Sequence, residues 1–497
     1  MENIFNALML LGAPLNIIAI VLGVFFGITI GAIPGLTSTM GVALFIPVTF
    51  SMSPATGLLF LASIYCGSTY GGSISAILIQ TPGTPAAIFT AIDGYELTKQ
   101  GKAGQALGMA IFASFIGGII GSIILISLAP PLSRLVLKFG PSEIFFMALF
   151  GLTVIVGLSE DSIVKGLMSG IFGVLLATIG VDSLTGIYRF TFDKMELFEG
   201  IPLIPIVIGL FSASQVFILA GQKRQTIQYD ASYIEKDSTI PKWGKIKQIW
   251  LTLVRSGMIG TIIGIIPGAG MSIACGISYN EAKKSSKNPE LFGHGSLEGV
   301  AASEAANNGV VEGSLVPLLT LGIPGNAVSA VFLGGLLIHG LRPGVTLFTK
   351  HADIAYTLLM GMFLANIVML LIGSMFAKHF ARVATVPISI LTPVIMAFCI
   401  IGSFAIRNNF FDIYIMLVFG FLGYFMKKTA FPLAPFILGL ILGPMLETEL
   451  RRALMLSQGS YIALLQRPIS LFLFILAILS LLTPFLRRKK TSLKQSS

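Results

Sequence analysis

The chain has 497 residues, 55% of them hydrophobic and 11% charged, with a mean hydropathy of +0.90 and a formal net charge of +10. A soluble globule carries about 25% charged residues, so that class is excluded and the chain belongs in a bilayer. The basic residues lie between apolar runs and in Arg487-Arg488-Lys489-Lys490, a distribution set by the positive-inside rule, so no nucleic-acid partner is expected.

A helix satisfies its own backbone hydrogen bonds where no water can, so the expected fold is an all-α polytopic membrane protein of roughly 11 to 12 transmembrane helices. Asn3 to Ile92 carries no Asp, Glu, Lys, Arg or His. Met1-Glu2-Asn3 has no basic n-region, so the first apolar segment, Leu8 to Ile30, reads as a retained span and not a cleaved signal. Its end is interrupted by Gly27-Ile-Thr-Ile-Gly31-Ala-Ile33-Pro34-Gly35, where proline removes a donor and glycine admits φ > 0, so the helix should break. A piece from Met40 to Phe50 and a small-residue helix from Pro54 to about Tyr70 lead to Gly71-Gly72-Ser73. Two short arms, Ile74 to Ile79 and Ala86 to Ile92, flank Thr81-Pro82-Gly83-Thr84-Pro85 and read as a re-entrant hairpin. Asp93, just beyond, reads as a helix cap or turn residue.

Leu107 to Ser133 is a full span whose Gly117, Gly118 and Gly121 allow close helix approach. Ile144 to Ser159 and Gly166 to Val181, separated by Glu160, Asp161 and Lys165, are either two thin spans or a broken pair. Ile201 to Gly221 is a span, and Gln222 to Trp250 is a Lys-rich linker assigned to the cytoplasm. The first motif then returns, 233 positions on, as Gly260-Thr-Ile-Ile-Gly264-Ile-Ile266-Pro267-Gly268. A small-residue helix, Ser296 to about Glu312, holds Glu298, Glu304, Asn307 and Asn308, and Gly313 to Ile338 is broken at Pro324-Gly325. Gly71 precedes Pro82 by eleven positions, as Gly313 precedes Pro324. Two landmarks recurring in one order indicate two internal repeats with Pro-Gly broken helices, parallel or inverted. Five further spans end in the basic C-terminus, and Arg451 and Arg452 fall on the side opposite to the other basic groups, against the rule. The boundaries expected are 1–221 for the first repeat, 222–250 for the linker, 251–428 for the second repeat and 429–497 for C-terminal helices and the basic tail.

A helix interrupted at bilayer depth offers free N–H groups at one fragment's start and free carbonyls at another's end, sites for anions and cations respectively. Thr37, Ser38 and Thr39 follow Pro34-Gly35, Thr81 and Thr84 flank Pro82-Gly83, and Asn326 and Ser329 follow Pro324-Gly325. Their polar groups suit a carboxylate substrate. Glu304 and Glu312, with Asn307 and Asn308, are the candidates for proton coupling or cation binding, since ionisable groups at membrane depth are costly and functional. Cys66, Cys275 and Cys399 are isolated and read as packing residues. No metal-ligand cluster, nucleotide loop or nucleophile–base arrangement appears, so no enzymatic activity and no cofactor are expected, with Na⁺ the candidate coupling ion beside H⁺.

Gly31-Ala-Ile-Pro-Gly-Leu36, Tyr70-Gly-Gly-Ser-Ile-Ser-Ala-Ile-Leu-Ile-Gln-Thr-Pro-Gly-Thr-Pro-Ala-Ala87, Asp93-Gly-Tyr95, Lys99-Gln-Gly-Lys-Ala-Gly104, Gly264-Ile-Ile-Pro-Gly-Ala269 and Leu321-Gly-Ile-Pro-Gly-Asn326 together resemble the large membrane subunit of tripartite tricarboxylate transporters, the TctA-like family. The resemblance runs over nearly the whole chain. It implies a bacterial inner-membrane secondary transporter, served by a periplasmic substrate-binding protein and a small membrane subunit of about four spans, importing citrate, other tricarboxylates or related organic acids on an ion gradient. The alternative is a stand-alone channel or carrier for small organic solutes.

Overall fold

The computed structural model describes residues 2–157, 162–182, 184–221, 243–383 and 386–495. Glu160, Asp161 and the stretch 222–242 of the linker lie outside them. In chain order the helices are α1 Glu2–Leu11, α2 Pro14–Ala32, α3 Ser38–Thr49, α4 Pro54–Ile79, α5 Ala87–Lys99, α6 Ala103–Val136, α7 Pro141–Gly157 and α8 Ile163–Leu176. A hairpin follows, β1 Gly180–Val181 paired antiparallel with β2 Tyr188–Arg189. Next comes α9, Leu203–Ala220, with a π-helical turn at Ile208–Ala213. The second half has α10 Trp243–Ile265, α11 Gly270–Ser285, α12 Leu297–Leu321, α13 Ala327–Ile338, α14 Val345–Thr349, α15 Ala352–Met375, α16 Ala377–Val383, α17 Ile388–Arg407, α18 Phe410–Lys428, α19 Leu433–Leu456 and α20 Pro468–Gln495.

The fold is all-α and polytopic. Among the described residues eight helices are long and apolar enough to cross a membrane, and five shorter apolar helices of 10–17 residues accompany them, Ser38–Thr49 and Ala327–Ile338 included. The chain divides into two compact units, one of Met1–Ser133 with Gln215–Gly402, the other of Arg134–Ser214 with Ser403–Ser497.

In unit one the chain leaves its helices at the Pro-Gly positions. α2 ends at Ala32, Gly35 takes φ +85°, and Thr37 caps α3. α10 ends at Ile265, and Gly268 takes φ +78°. α4 stops at a left-handed Gln80 and α12 at a left-handed Gly322. One expectation fails: α4 does not pause at Gly71-Gly72-Ser73 but runs unbroken to Ile79. Those glycines serve packing, because a Cβ on Gly71 would lie 2.5 Å from the Ile28 carbonyl oxygen of α2. The interlock of α2 with α4 reappears between α10 and α12. A Cβ on Gly27 would strike the Ile64 carbonyl and one on Gly31 that of Ser68, while Gly260 and Gly264 stand in the same relation to Ala306 and Val310. In both pairs the helices run parallel. α4 and α12 run antiparallel, with Ser73 against Glu304, Thr69 against Asn307 and Tyr65 against Ser314.

In unit two, α8 packs on α19 with Gly173 against the Phe436 carbonyl, and α18 packs on the π turn through Gly209 against Met416. Asp182, beside the hairpin, accepts from Arg451, and Arg189 makes a two-pronged contact with Glu447 at 2.6 and 3.0 Å.

Candidate functional site

Each Pro-Gly tip folds back onto the break in its own half. The Gly83 N–H donates to the Gly72 carbonyl at 3.1 Å, and a Cβ on Gly83 would meet the Gly31 carbonyl at the end of α2. This brings Pro34-Gly35 and Pro82-Gly83 to one place. In the second half the Gly268 N–H donates to the Gly325 carbonyl at 2.7 Å, so Pro267-Gly268 and Pro324-Gly325 meet likewise. The first tip lies at the level of Gly72 on α4, the second at the level of Tyr65, since Asn326 Nδ2 donates to the Tyr65 hydroxyl at 2.7 Å. At 1.5 Å per residue the two levels are about 11 Å apart along α4.

The predicted polar residues at these tips divide into two sets. Thr37 Oγ1 accepts from Met40 N, Thr81 donates to the Ile79 carbonyl, and Asn326 and Ser329 form a capping box. These four close their own turns, as Ser, Thr and Asn side chains commonly do. Ser38 Oγ and Thr84 Oγ1 are buried and have no partner, and Thr39 is buried beside Ser38. Thr84 lies directly over Gly72, whose missing side chain makes the room: a Cβ there would be 2.9 Å from Thr84 Oγ1. Both unpartnered hydroxyls stand near helix starts and are available as donors to an anion.

The four predicted ion-coupling residues are fully buried on α12. Glu304 accepts from Ser73 of α4 at 2.5 Å, from Thr90 of α5 and from Ser114 of α6 at 2.9 Å. Asn307 donates to the Thr69 carbonyl at 3.3 Å, and its Oδ1 is unpartnered. Glu312 accepts from Asn366 Nδ2 of α15 at 2.7 Å through Oε1, and Oε2 has no partner. Asn308 turns its amide nitrogen to Met369 Sδ at 3.5 Å, leaving Oδ1 unpartnered. The arrangement therefore gathers hydroxyl donors at the first tip and bare acceptors along α12. Among the described residues no group of three or more His, Cys, Asp or Glu could hold a metal ion.

Most partners of these residues are not marked in the sequence. Ser73, Thr90, Ser114 and Tyr65 are ordinary small or aromatic residues in apolar runs, and nothing local marks them. Asn366 carried a signal, being the one carboxamide in the 24-residue α15. Asp93, expected to be a helix cap or turn residue, is neither: it lies within α5 and binds a distant loop, while Ser296 caps α12. Asp93 is fully buried and takes the N–H groups of Gly293, Gly295 and Ser296 ahead of α12, with the Tyr279 hydroxyl at 2.8 Å. The three cysteines are free and buried, and Cys66 packs against Asn308, Asn366 and Met369.

Residues 17–438 match the family described as the Tripartite tricarboxylate transporter TctA family. An uncharacterized 52.8 kDa protein in the TAR-I ttuC' 3'region of Agrobacterium vitis is 36% identical over 490 residues, 96% of this chain and 95% of the relative. An uncharacterized protein in the TAR-II ttuC' 3'region of the same organism is 36% identical over 234 residues, 46% of this chain and 97% of the relative. No solved structure matches.

Proposed function

Since this chain belongs to the tripartite tricarboxylate transporter TctA family, we propose that it is the large membrane subunit of a binding-protein-dependent secondary transporter that imports tricarboxylates or related organic acids with a cation by alternating access. It is a multi-pass membrane protein of that transporter system. The observation that carries the reading is the pair of buried, unpartnered hydroxyls, Ser38 and Thr84, beside helix starts at adjoining Pro-Gly turns. They supply donors for a carboxylate where no lysine or arginine intervenes. The antiparallel packing of α4 and α12, each interlocked with a parallel partner, supports two inverted repeats that exchange access by rocking around the site. Unpartnered oxygens of Asn307, Asn308 and Glu312 supply the cation side.

The partners proposed are a periplasmic substrate-binding protein and a small membrane subunit of about four spans, in the inner membrane of a bacterium. The test is uptake of labelled citrate and other carboxylates into proteoliposomes holding the three components together or singly, under imposed Na⁺ or H⁺ gradients. Uptake that needs all three components and one gradient is expected, and Thr84→Val should abolish it while the protein remains folded and inserted. Gradient-independent flux through this chain alone would instead establish a channel.

A further inference from the structure

The two buried carboxylates of α12 stand in opposite surroundings. Glu304 has hydroxyl donors on both oxygens: Ser73 and Thr90 serve Oε1, and Ser114 serves Oε2. Glu312 has a donor on Oε1 alone, and its Oε2 faces none although the residue is fully buried. One turn earlier on the same helix face, Asn308 Oδ1 is equally bare, because the Asn308 amide nitrogen is directed at the sulfurs of Cys66 and Met369. Two buried acceptors one helical turn apart, neither with a donor, is an arrangement that protein interiors avoid. A proton on Glu312 resolves it by turning one acceptor into a donor.

The surroundings favour a proton over an alkali cation. Hard cations take several oxygen ligands, whereas here a thiol and a thioether line the amides of Asn308 and Asn366 that neighbour Glu312 on α12 and α15. Among the described residues, the titratable groups facing Glu312 are Tyr65 and Cys66, both on α4. α6 presents Gly121 and Ser122, and α15 presents Asn366 and Met369. α10 packs on the same stretch of α12 through Gly257 and Thr261, while its Arg255 is directed at Glu281 and Ser285. No cation among the described residues is paired with the carboxylate.

We propose that Glu312 is the proton-binding group of the transport cycle and that Asn308 Oδ1 receives the hydrogen bond of its protonated form. The step is a protonation alone: the carboxylate takes H⁺ from water to give the carboxylic acid and later returns it, with no other bond made or broken. Glu304 has a different task, holding α4, α5 and α6 together through its three hydroxyl donors. The proposal rests on the transport reading for its place in a cycle, but the protonation itself is readable without transport.

The test is an infrared pH titration of the protein in lipid, followed by flux through the reconstituted three-component system. A carboxylic acid band that titrates in the wild type, is absent in Glu312→Gln and persists in Glu304→Gln is expected. Asn308→Leu, which removes only the acceptor, should shift that band without deleting it. Glu312→Asp should retain a titrating band at a changed position, and it stands in should Glu312→Gln fail to fold. In proteoliposomes Glu312→Gln should retain carboxylate counterflow and lose accumulation driven by a pH gradient. A titrating band unchanged in Glu312→Gln, or wild-type accumulation in that variant, overturns the proposal. Absence of carboxylate flux in the wild type defeats the transport reading, and the infrared titration then decides on Glu312 by itself.

Discussion

Unit one buries Asp93, Glu304 and Glu312 among neutral donors, whereas unit two buries Glu143, Asp182 and Asp412 each beside an arginine. Arg467 reaches Glu143 at 3.2 Å, Arg451 reaches Asp182 at 2.6 Å, and Arg407 Nε reaches Asp412 at 3.0 Å. The difference separates two uses of a buried acid. A carboxylate beside a guanidinium is neutralised within the structure and asks nothing of its surroundings, and breaking the pair leaves a bare charge. A carboxylate held by hydroxyl, amide and backbone donors has no guanidinium beside it, which leaves it open to an arriving proton or cation.

Asp93 tests whether neutral donors alone can anchor such an acid, and it carries the largest expected effect. It takes three backbone N–H groups and a phenol, and Asp93→Ala would leave the buried Ser296 N–H and Tyr279 hydroxyl, and the part-buried N–H groups of Gly293 and Gly295, without that acceptor. A loss of about 3–5 kcal/mol of stability is expected, read from thermal unfolding in detergent. Asp93→Asn keeps the oxygen that accepts the three N–H groups and turns an amide toward the Tyr279 oxygen, so its cost should fall to about 1 kcal/mol. Equal losses in the two variants would mean that charge, not hydrogen bonding, holds the loop ahead of α12.

The paired acids answer to pH in a way their unit-one counterparts need not. Hydrogen bonds from Arg451 and from the Leu184 and Thr185 backbone hold the Asp182 carboxyl well below the usual carboxylate range. A depressed folded-state value means the contribution to stability is present above the unfolded value of about 3.9 and is lost as pH falls toward the folded one. The difference in melting temperature between the wild type and Arg451→Ala should therefore stay constant above about pH 5 and shrink as the pH drops below about 4. A difference that persists undiminished in acid would show that Arg451 acts by packing and not through Asp182.

Much of the skeleton was legible because proline and glycine act locally. Pro34-Gly35, Pro82-Gly83, Pro267-Gly268 and Pro324-Gly325 each stand within a few residues of a helix end, as their backbone chemistry requires. Gly71-Gly72 misled for the same reason: helical glycine is ambiguous between an end and a close contact, and only the position of α2 decides. Glu304 was legible as a charge in an apolar helix, yet its donors sit 190 to 231 residues away, and no local pattern specifies them. The same distance hid the meaning of Asp93, whose backbone partners lie about 200 residues on.

The smallest effect belongs to the residue that made the sequence look anomalous. Arg451 and Arg452 stand against the positive-inside rule, which counts lysine and arginine and not net charge, so the acids around them leave that exception in place. Arg452 pairs with Glu449 at 2.9 Å, and Arg451 and Arg189 pair with Asp182 and Glu447, so three arginines meet three acids in this stretch. The Arg452 side chain is 56% exposed and its partner lies three residues back on the same helix. Water screens such a pair, and ordering two long side chains offsets most of the attraction, so Arg452→Ala should change stability by about 0.5 kcal/mol or less. Arg451, its neighbour in sequence, reaches a buried carboxylate and should cost clearly more under the same unfolding measurement at neutral pH. Similar losses from the two alanine variants would remove burial as the property that sets the arginine-paired acids of unit two apart, and with it the contrast drawn between the two units.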